Sequence, residues 1–141
     1  MITHRVPFLL IDKIARLNIA KKVIGGERYI DAEDPIFQGH FPGNPIYPGV
    51  LQIEMVAQLG LCLSYFMING IDQIAAGSRP VMAMVTKVQH VAFHAPIVPK
   101  QHIAIYAQVI DYDGIMGTMI GQLYFGSQLC SYVILEAYFN E

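Results

Sequence analysis

The chain has 141 residues, of which 54% are apolar and only 14% are charged, and its formal net charge is −2. This composition excludes an intrinsically disordered chain, and the length predicts one domain with a sizeable core. Because Lys and Arg form no run along the chain, we expect no nucleic-acid footprint.

Two strands are predicted first, over 9–18 and 23–30, with a polar connection between them. Gly25 and Gly26 interrupt the second strand, where they indicate a β-bulge or a close approach by another part of the chain. A loop over 34–49 follows and holds four prolines and three glycines. Because proline fixes φ and glycine permits unusual conformations, the loop is predicted to have a defined shape.

A helix is predicted over 48–68, since proline suits the first helical turn and the Asn-Gly pair that follows is typical of a helix end. Residues 50–68 are mostly apolar and long enough to cross a bilayer. They include Glu54, however, and no Lys or Arg between Arg28 and Arg79 is available to anchor a span. We therefore interpret the segment as a helix buried in a protein core and predict no membrane span.

The rest of the sequence predicts antiparallel sheet, with a hairpin at Asp113-Gly114. The predicted strands cover 81–95, 103–110, 115–125 and 129–139. An antiparallel sheet with a single helix curls around that helix to cover it, so the order of elements predicts an α+β protein. Residues 1–141 are expected to form a single domain.

Two ionisable side chains stand out in the stretch 34–58. His40 lies on the proline-rich loop, and Glu54, fourteen residues later, is the single carboxylate of the apolar helix. An imidazole titrates near neutrality, which suits a general base, and a carboxyl group in apolar surroundings suits a general acid. A lone histidine in such a loop more often serves packing, so the pair is a candidate site rather than an identified one.

The run Phe-Gln-Gly-His-Phe-Pro-Gly-Asn-Pro-Ile-Tyr-Pro-Gly-Val-Leu, with Glu54 just after it, resembles the signature of the FabZ-type (3R)-hydroxyacyl-[acyl-carrier-protein] dehydratases. The opening His-Arg-Val-Pro-Phe-Leu-Leu-Ile-Asp, residues 4–12, is similar to a second motif of that family. The resemblance implies the hotdog fold, in which a curved antiparallel sheet wraps one long central helix. It also implies no cofactor, because the substrate is carried on the phosphopantetheine arm of acyl carrier protein.

Removing water from a 3-hydroxyacyl thioester requires a base at the α-carbon, an acid at the departing hydroxyl and donors for the thioester oxygen. The resemblance implies His40 as the base and Glu54 as the acid, contributed by opposite subunits of a homodimer. The amides of Gly49 and Val50 lie at the positive end of the helix dipole, so we predict that they polarise the substrate carbonyl. Gln58 follows Glu54 by one helical turn and is predicted to support the acid.

Other residues have weaker assignments. Phe93, Met82 and Met84 are candidates for lining an acyl tunnel, although the ordinary interpretation is sheet core. His90 and His94 have the spacing of metal ligands on one strand face, but two histidines make an incomplete site, so no metal is predicted.

Cys62 and Cys130 both lie in apolar runs and are expected to be buried free thiols, as in a reducing compartment. The N-terminus lacks the pattern of a signal peptide, and we predict a cytoplasmic protein. The resemblance implies dimers joined edge to edge through their sheets, and trimers of such dimers are common in the family.

The sequence departs from the family after Phe93, where a basic pair and later Gly-Asp are usual. This chain has His94-Ala95 and Lys100-Gln101 instead. Basic residues at this place would hold an acidic carrier, so the preferred carrier is left open. Two other functions also remain open, a hotdog acyl-thioesterase and a non-catalytic acyl-binding scaffold.

Overall fold

The computed structural model describes residues 1–140. The strands are β1 (Lys13–Asn18), β2 (Val23–Tyr29), β3 (Ala83–Phe93), β4 (His102–Tyr112), β5 (Met116–Phe125) and β6 (Gln128–Phe139), and the helices are α1 (Ile36–Gly39) and α2 (Gly49–Asn69). The long helix and the six strands appear in the predicted order.

All six strands form one antiparallel sheet in the order β1-β2-β4-β5-β6-β3. Helix α2 lies across one face and contacts every strand from β2 to β6. The strands that cover it alternate between buried and half-buried residues, which is the pattern of a sheet with one face on a core. The predicted α+β class is therefore confirmed.

The sheet approaches the helix closely where two of its strands carry glycine. A Cβ at Gly26 would lie 2.9 Å from Leu59 Cδ1, and one at Gly121 would overlap the Val56 side chain. The sequence left a bulge or a close approach open for β2, and the structure has the close approach. The irregularity in pairing falls on the opposite strand, between Ile14 and Arg16.

Helix α2 ends as predicted, at Gly70, which adopts the left-handed conformation with φ of 63°. The helix is long and apolar enough to cross a membrane, but 67% of its most apolar window is buried inside the fold. It is therefore the core helix of a soluble fold, as the sequence analysis predicts.

The two edges of the sheet differ in chemistry. The β1 edge carries Lys13 and Arg16, and such charges protect an edge from unwanted pairing. The β3 edge pairs only with β6 and exposes apolar side chains instead, among them Met84, Val85 and Val88. An apolar open edge of this kind suits pairing with another chain.

Two local predictions differ from the structure. Strand β1 begins at Lys13 rather than at residue 9, because the Leu10 amide donates to the Gln58 side chain instead of to a neighbouring strand. The short helix α1 was predicted as loop.

Candidate active site

His40 follows α1 directly and is hydrogen-bonded to Ile46 through both its backbone and its ring. The Ile46 amide donates to the His40 carbonyl at 3.1 Å, and His40 Nδ1 lies 2.8 Å from the Ile46 carbonyl oxygen. Because a carbonyl only accepts, Nδ1 carries the proton and Nε2 is left unprotonated in the neutral ring. The ring stacks on Phe41 with centroids 4.1 Å apart. A half-buried imidazole held in this way is ready to accept a proton.

The loop that carries His40 is fixed to the connection between β3 and β4 just before α2 begins. The Tyr47 amide donates to the Ile97 carbonyl at 2.8 Å, and the Tyr47 ring packs against Phe37. Burial raises the pKa of Tyr47 to about 12. The peptide between His40 and Phe41 is cis. The rigid loop predicted from the prolines is thus anchored at its end by buried side chains.

Glu54 lies half-buried on α2, among polar groups from the N-terminal segment. Gln58 Nε2 donates to Glu54 Oε1 at 2.9 Å, and His4 Nε2 lies 3.3 Å from the same oxygen. Gln58 itself is completely buried and is held by the backbone of Phe8 and Leu10. The sequence predicts the support from Gln58, and the structure places the two side chains in contact.

A cavity of about 180 Å³ opens beside Glu54 between α2 and the sheet. Its polar wall is formed by His4, Glu54 and Gln58. The remaining lining is apolar and consists of Ala57, Leu61, Ala83, Val85, Met119, Leu135 and Ala137. His40 is not among the residues that line this cavity, so a single chain does not bring the predicted base into the pocket of the predicted acid.

The two amides predicted to bind the substrate carbonyl lie at the start of α2. Pro48 caps the helix without a side-chain hydrogen bond, and it accepts from the amides of Leu51 and Gln52. The amides of Gly49 and Val50 come before the first intrahelical hydrogen bonds, so they are available to donate to a ligand. Val50 is 72% exposed. The Phe93 ring covers Gly49, since a Cβ there would lie 2.6 Å from Phe93 Cζ.

The three residues predicted for an acyl tunnel lie in three different places. Phe93 lies over the start of α2, and Met82 lines a second pocket of about 240 Å³ near the end of that helix. Met84 is exposed on the β3 edge. None of the three lines the cavity beside Glu54. Their assignment to a tunnel stays a prediction, and the methionine that does line the cavity is Met119 on β5.

His90 and His94 both stack on the Tyr132 ring. Their ring centroids lie 5.1 Å and 5.7 Å from that of Tyr132, and the Tyr132 hydroxyl is 2.8 Å from His90 Nε2. Within residues 1–140, no cluster of three or more His, Cys, Asp or Glu side chains could hold a metal ion.

Both cysteines are buried free thiols, as predicted. Burial raises the pKa of Cys62 to about 12 and also raises that of Cys130.

Comparison with known proteins agrees with this fold. Two solved structures share the fold, although neither is similar in sequence. The dehydratase heterocomplex ApeI:P from Xenorhabdus doucetiae has a TM-score of 0.75 at 14% identity, covering 99% of this chain and 88% of that one. The PaaI protein of Escherichia coli has a TM-score of 0.64 at 8% identity, covering 92% and 79%. A helix wrapped by such a sheet defines a hotdog protein.

Sequence comparison gives the family. Residues 2–131 match the model of the FabA-like domain. The 3-hydroxyacyl-[acyl-carrier-protein] dehydratase FabZ of Campylobacter concisus is 34% identical over 97% of this chain and 90% of its own length. The FabZ of Clostridium botulinum is 36% identical over 83% of this chain and 78% of its own length. The chain belongs to the FabZ dehydratase family.

Sequence reasoning missed the contact between His4 and Glu54. The motif 4–12 was recognised, but nothing in its spacing indicates which side chain fifty residues later it meets.

Proposed function

We propose that this chain dehydrates (3R)-3-hydroxyacyl groups, carried as thioesters on acyl carrier protein, to trans-2-enoyl groups, with His40 as base and Glu54 as acid. It is an enzyme of fatty acid biosynthesis or of a related polyketide or polyene route. The observation that carries the proposal is that a chain of the FabZ family has both a His40 with an unprotonated Nε2 and a Glu54 that lines a cavity.

The reaction follows from these groups. His40 Nε2 removes a proton from the α-carbon, and the electron pair left behind forms the double bond to the β-carbon as the carbon–oxygen bond breaks. Glu54 gives its proton to the departing hydroxyl, which leaves as water. The amides of Gly49 and Val50 donate to the thioester oxygen, where negative charge develops. The reverse sequence hydrates the enoyl thioester.

The site is completed by a second copy of the chain. His40 does not line the cavity of its own Glu54, and β3 offers an open apolar edge. Pairing of two β3 edges would continue the sheet across a homodimer and bring each His40 to the Glu54 of the partner. Trimers of such dimers would repeat the same site.

The proposal also covers how the substrate is delivered and where the protein acts. The substrate arrives on the phosphopantetheine arm of the carrier, and the chemistry uses no metal or cofactor beyond that arm. Residues 1–141 act as one dehydratase domain in the cytoplasm, where buried free thiols such as Cys62 remain reduced.

The test is hydration of a crotonyl thioester, carried either on carrier protein or on coenzyme A. The reaction is monitored through the loss of enoyl absorbance. We expect the wild type to hydrate it reversibly and His40→Ala to be about 10²–10⁴-fold slower. His102→Ala is the matched control, because His102 is an exposed histidine whose ring lies tilted against Tyr29. Release of free thiol would indicate a thioesterase, and a folded but silent wild type would indicate an acyl-binding scaffold.

A further inference from the structure

The first ten residues of the chain lie against the carboxyl group that we propose as the acid. Gln58 connects this segment to Glu54, and both the oxygen and the nitrogen of its side-chain amide are hydrogen-bonded. Its Oε1 accepts from the Leu10 amide at 2.8 Å, while Nε2 donates to the Phe8 carbonyl at 2.7 Å and to Glu54 Oε1 at 2.9 Å. The Leu10 bond fixes which end of the amide is oxygen. Gln58 is therefore held as a donor toward Glu54.

His4 reaches the same carboxylate oxygen from the other direction. Its Nε2 lies 3.3 Å from Glu54 Oε1, a distance that is long for a hydrogen bond and within range of an ion pair. The ring stacks on Phe8, with centroids 6.1 Å apart. His4 Nδ1 is buried and has no hydrogen-bond partner among the described residues. Only Nε2 of this ring therefore has a polar partner.

We propose that His4 is a positioning residue for Glu54, an inference that rests on the proposed role of Glu54 as the acid. With the proton on Nε2, His4 places this nitrogen 3.3 Å from Oε1, the oxygen that already accepts a hydrogen bond from Gln58. An oxygen that accepts one hydrogen bond and lies next to a second N–H group is the one that stays unprotonated in a carboxylic acid. The transferable proton is thereby held on Oε2, the oxygen left for the substrate hydroxyl in the cavity.

The inference assigns the N-terminal motif a function in catalysis. Without His4, the carboxyl group would keep only the Gln58 donor and could rotate, so that the proton would be presented in several directions. Misplacement of a reacting group by about 1 Å costs up to about 10²-fold in rate. The substrate does not need to touch His4 for this effect, so the loss should fall on kcat rather than on KM.

The test compares four variants in the hydration assay with crotonyl thioester. His4→Ala is expected to lower kcat about 10–100-fold with KM within about twofold of wild type. His4→Gln can place an amide donor near the position of Nε2 and should recover part of the rate. His4→Asn can place its donor only near Nδ1 and should not. Thr3→Ala, at the exposed neighbouring residue, is the control and should behave as wild type.

A Glu54→Gln background distinguishes a route through Glu54 from a general effect on folding. If His4 acts through Glu54, adding His4→Ala to Glu54→Gln should leave the residual rate unchanged. Equal losses in both backgrounds, or a His4→Ala enzyme as fast as wild type, would overturn the inference. A different result, full activity of the Glu54→Gln variant alone, would overturn the proposed function. Thermal unfolding of every variant checks that the comparison is made between folded proteins.

Discussion

His40 and Ile46 are hydrogen-bonded to each other twice, once through the backbone and once through the imidazole. The Ile46 amide donates to the His40 carbonyl, and the Ile46 carbonyl accepts from His40 Nδ1. Both Ile46 groups belong to the main chain, and the Phe41 ring on which the imidazole stacks belongs to the same loop, so the orientation of the ring depends on the shape of that loop. The proposed base is therefore set by the fold of residues 40–46, while the proposed acid is set by distant residues.

Mixing two inactive variants should restore activity if His40 and Glu54 meet across the dimer. His40→Ala and Glu54→Gln homodimers are each expected to be inactive. In a mixed dimer, the His40 of one chain and the Glu54 of the other form one intact site. Random exchange should therefore recover about one quarter of the wild-type activity. The measurement is crotonyl hydration after co-refolding or co-expression.

The control for that experiment is a chain that carries both substitutions, mixed with His40→Ala. This mixture contains no intact His40 and should stay inactive under either arrangement. No recovery in the mixture of single variants, with exchange verified by differently tagged chains, would place both residues of a site in one subunit.

Substitution of Gly49 tests the close approach at the start of α2. A Cβ would lie 2.6 Å from Phe93 Cζ, so Gly49→Ala must displace the ring. The ring is 51% exposed and can move, so we expect a loss near the low end of the range for overpacking, about 1 kcal/mol in the free energy of unfolding. Urea unfolding measures it. In a Phe93→Ala background the same substitution should cost nothing, and an equal cost there would show that the contact is unimportant.

Met119 should limit the acyl chain that the cavity accepts. It lines the cavity beside Glu54, and it also lines a much smaller pocket further along α2 with Phe139. Truncation by Met119→Ala should join the two spaces and raise kcat/KM for longer acyl chains, by about fourfold for each methylene newly buried. Leu123→Ala, also in the core and on the same strand, lines neither space. An identical chain-length profile in both variants would contradict this assignment.

The hydroxyl of Tyr47 should make the protein less stable at alkaline pH. Burial raises its pKa to about 12 from an ordinary value near 10, so the folded state holds the proton more tightly than the unfolded state. The free energy of unfolding therefore does not depend on this titration below pH 10. It falls as the pH rises toward 12, because the unfolded state releases the proton first. Tyr47→Phe should reduce this loss, by at most about 2–3 kcal/mol.

At pH 7 the same substitution should be neutral or stabilising, because the Tyr47 hydroxyl is buried without a hydrogen-bond partner among the described residues. Urea unfolding at pH 7 and at pH 11 tests both statements, with Tyr124→Phe on β5 as the control. A Tyr47→Phe protein that is less stable than wild type at pH 7 would show that the hydroxyl has a partner in solution.

The parts of the fold that can be predicted from the sequence are those that depend on local chemistry. The end of α2 at Gly70 and the hairpin at Gly114 both depend on glycine at positive φ, which a sequence states directly. The Asp113 carboxylate completes that hairpin by accepting from the amides of Ile115 and Met116, and these bonds lower its pKa. Features of this kind need no knowledge of the rest of the chain.

Long-range contacts account for what the sequence could not predict. Strand β1 starts late because a side chain forty-eight residues away takes the Leu10 amide. The contact of His4 with Glu54 joins two motifs that were each recognised, yet their meeting depends on how the whole sheet curls around α2. The separation of His40 from the cavity of Glu54 likewise appears only in three dimensions.

The hydrogen bonds between Gln58 and the backbone at Phe8 and Leu10 hold a segment that can open on heating before the rest of the enzyme unfolds. The N-terminal segment lies outside the sheet, and segments of this kind open locally at a lower free energy than core strands do. When residues 4–10 detach, Glu54 loses His4 and Gln58 loses the backbone that holds it, while α2 and the six strands stay folded. Activity on warming would then disappear below the temperature at which the circular dichroism of the helix and sheet changes.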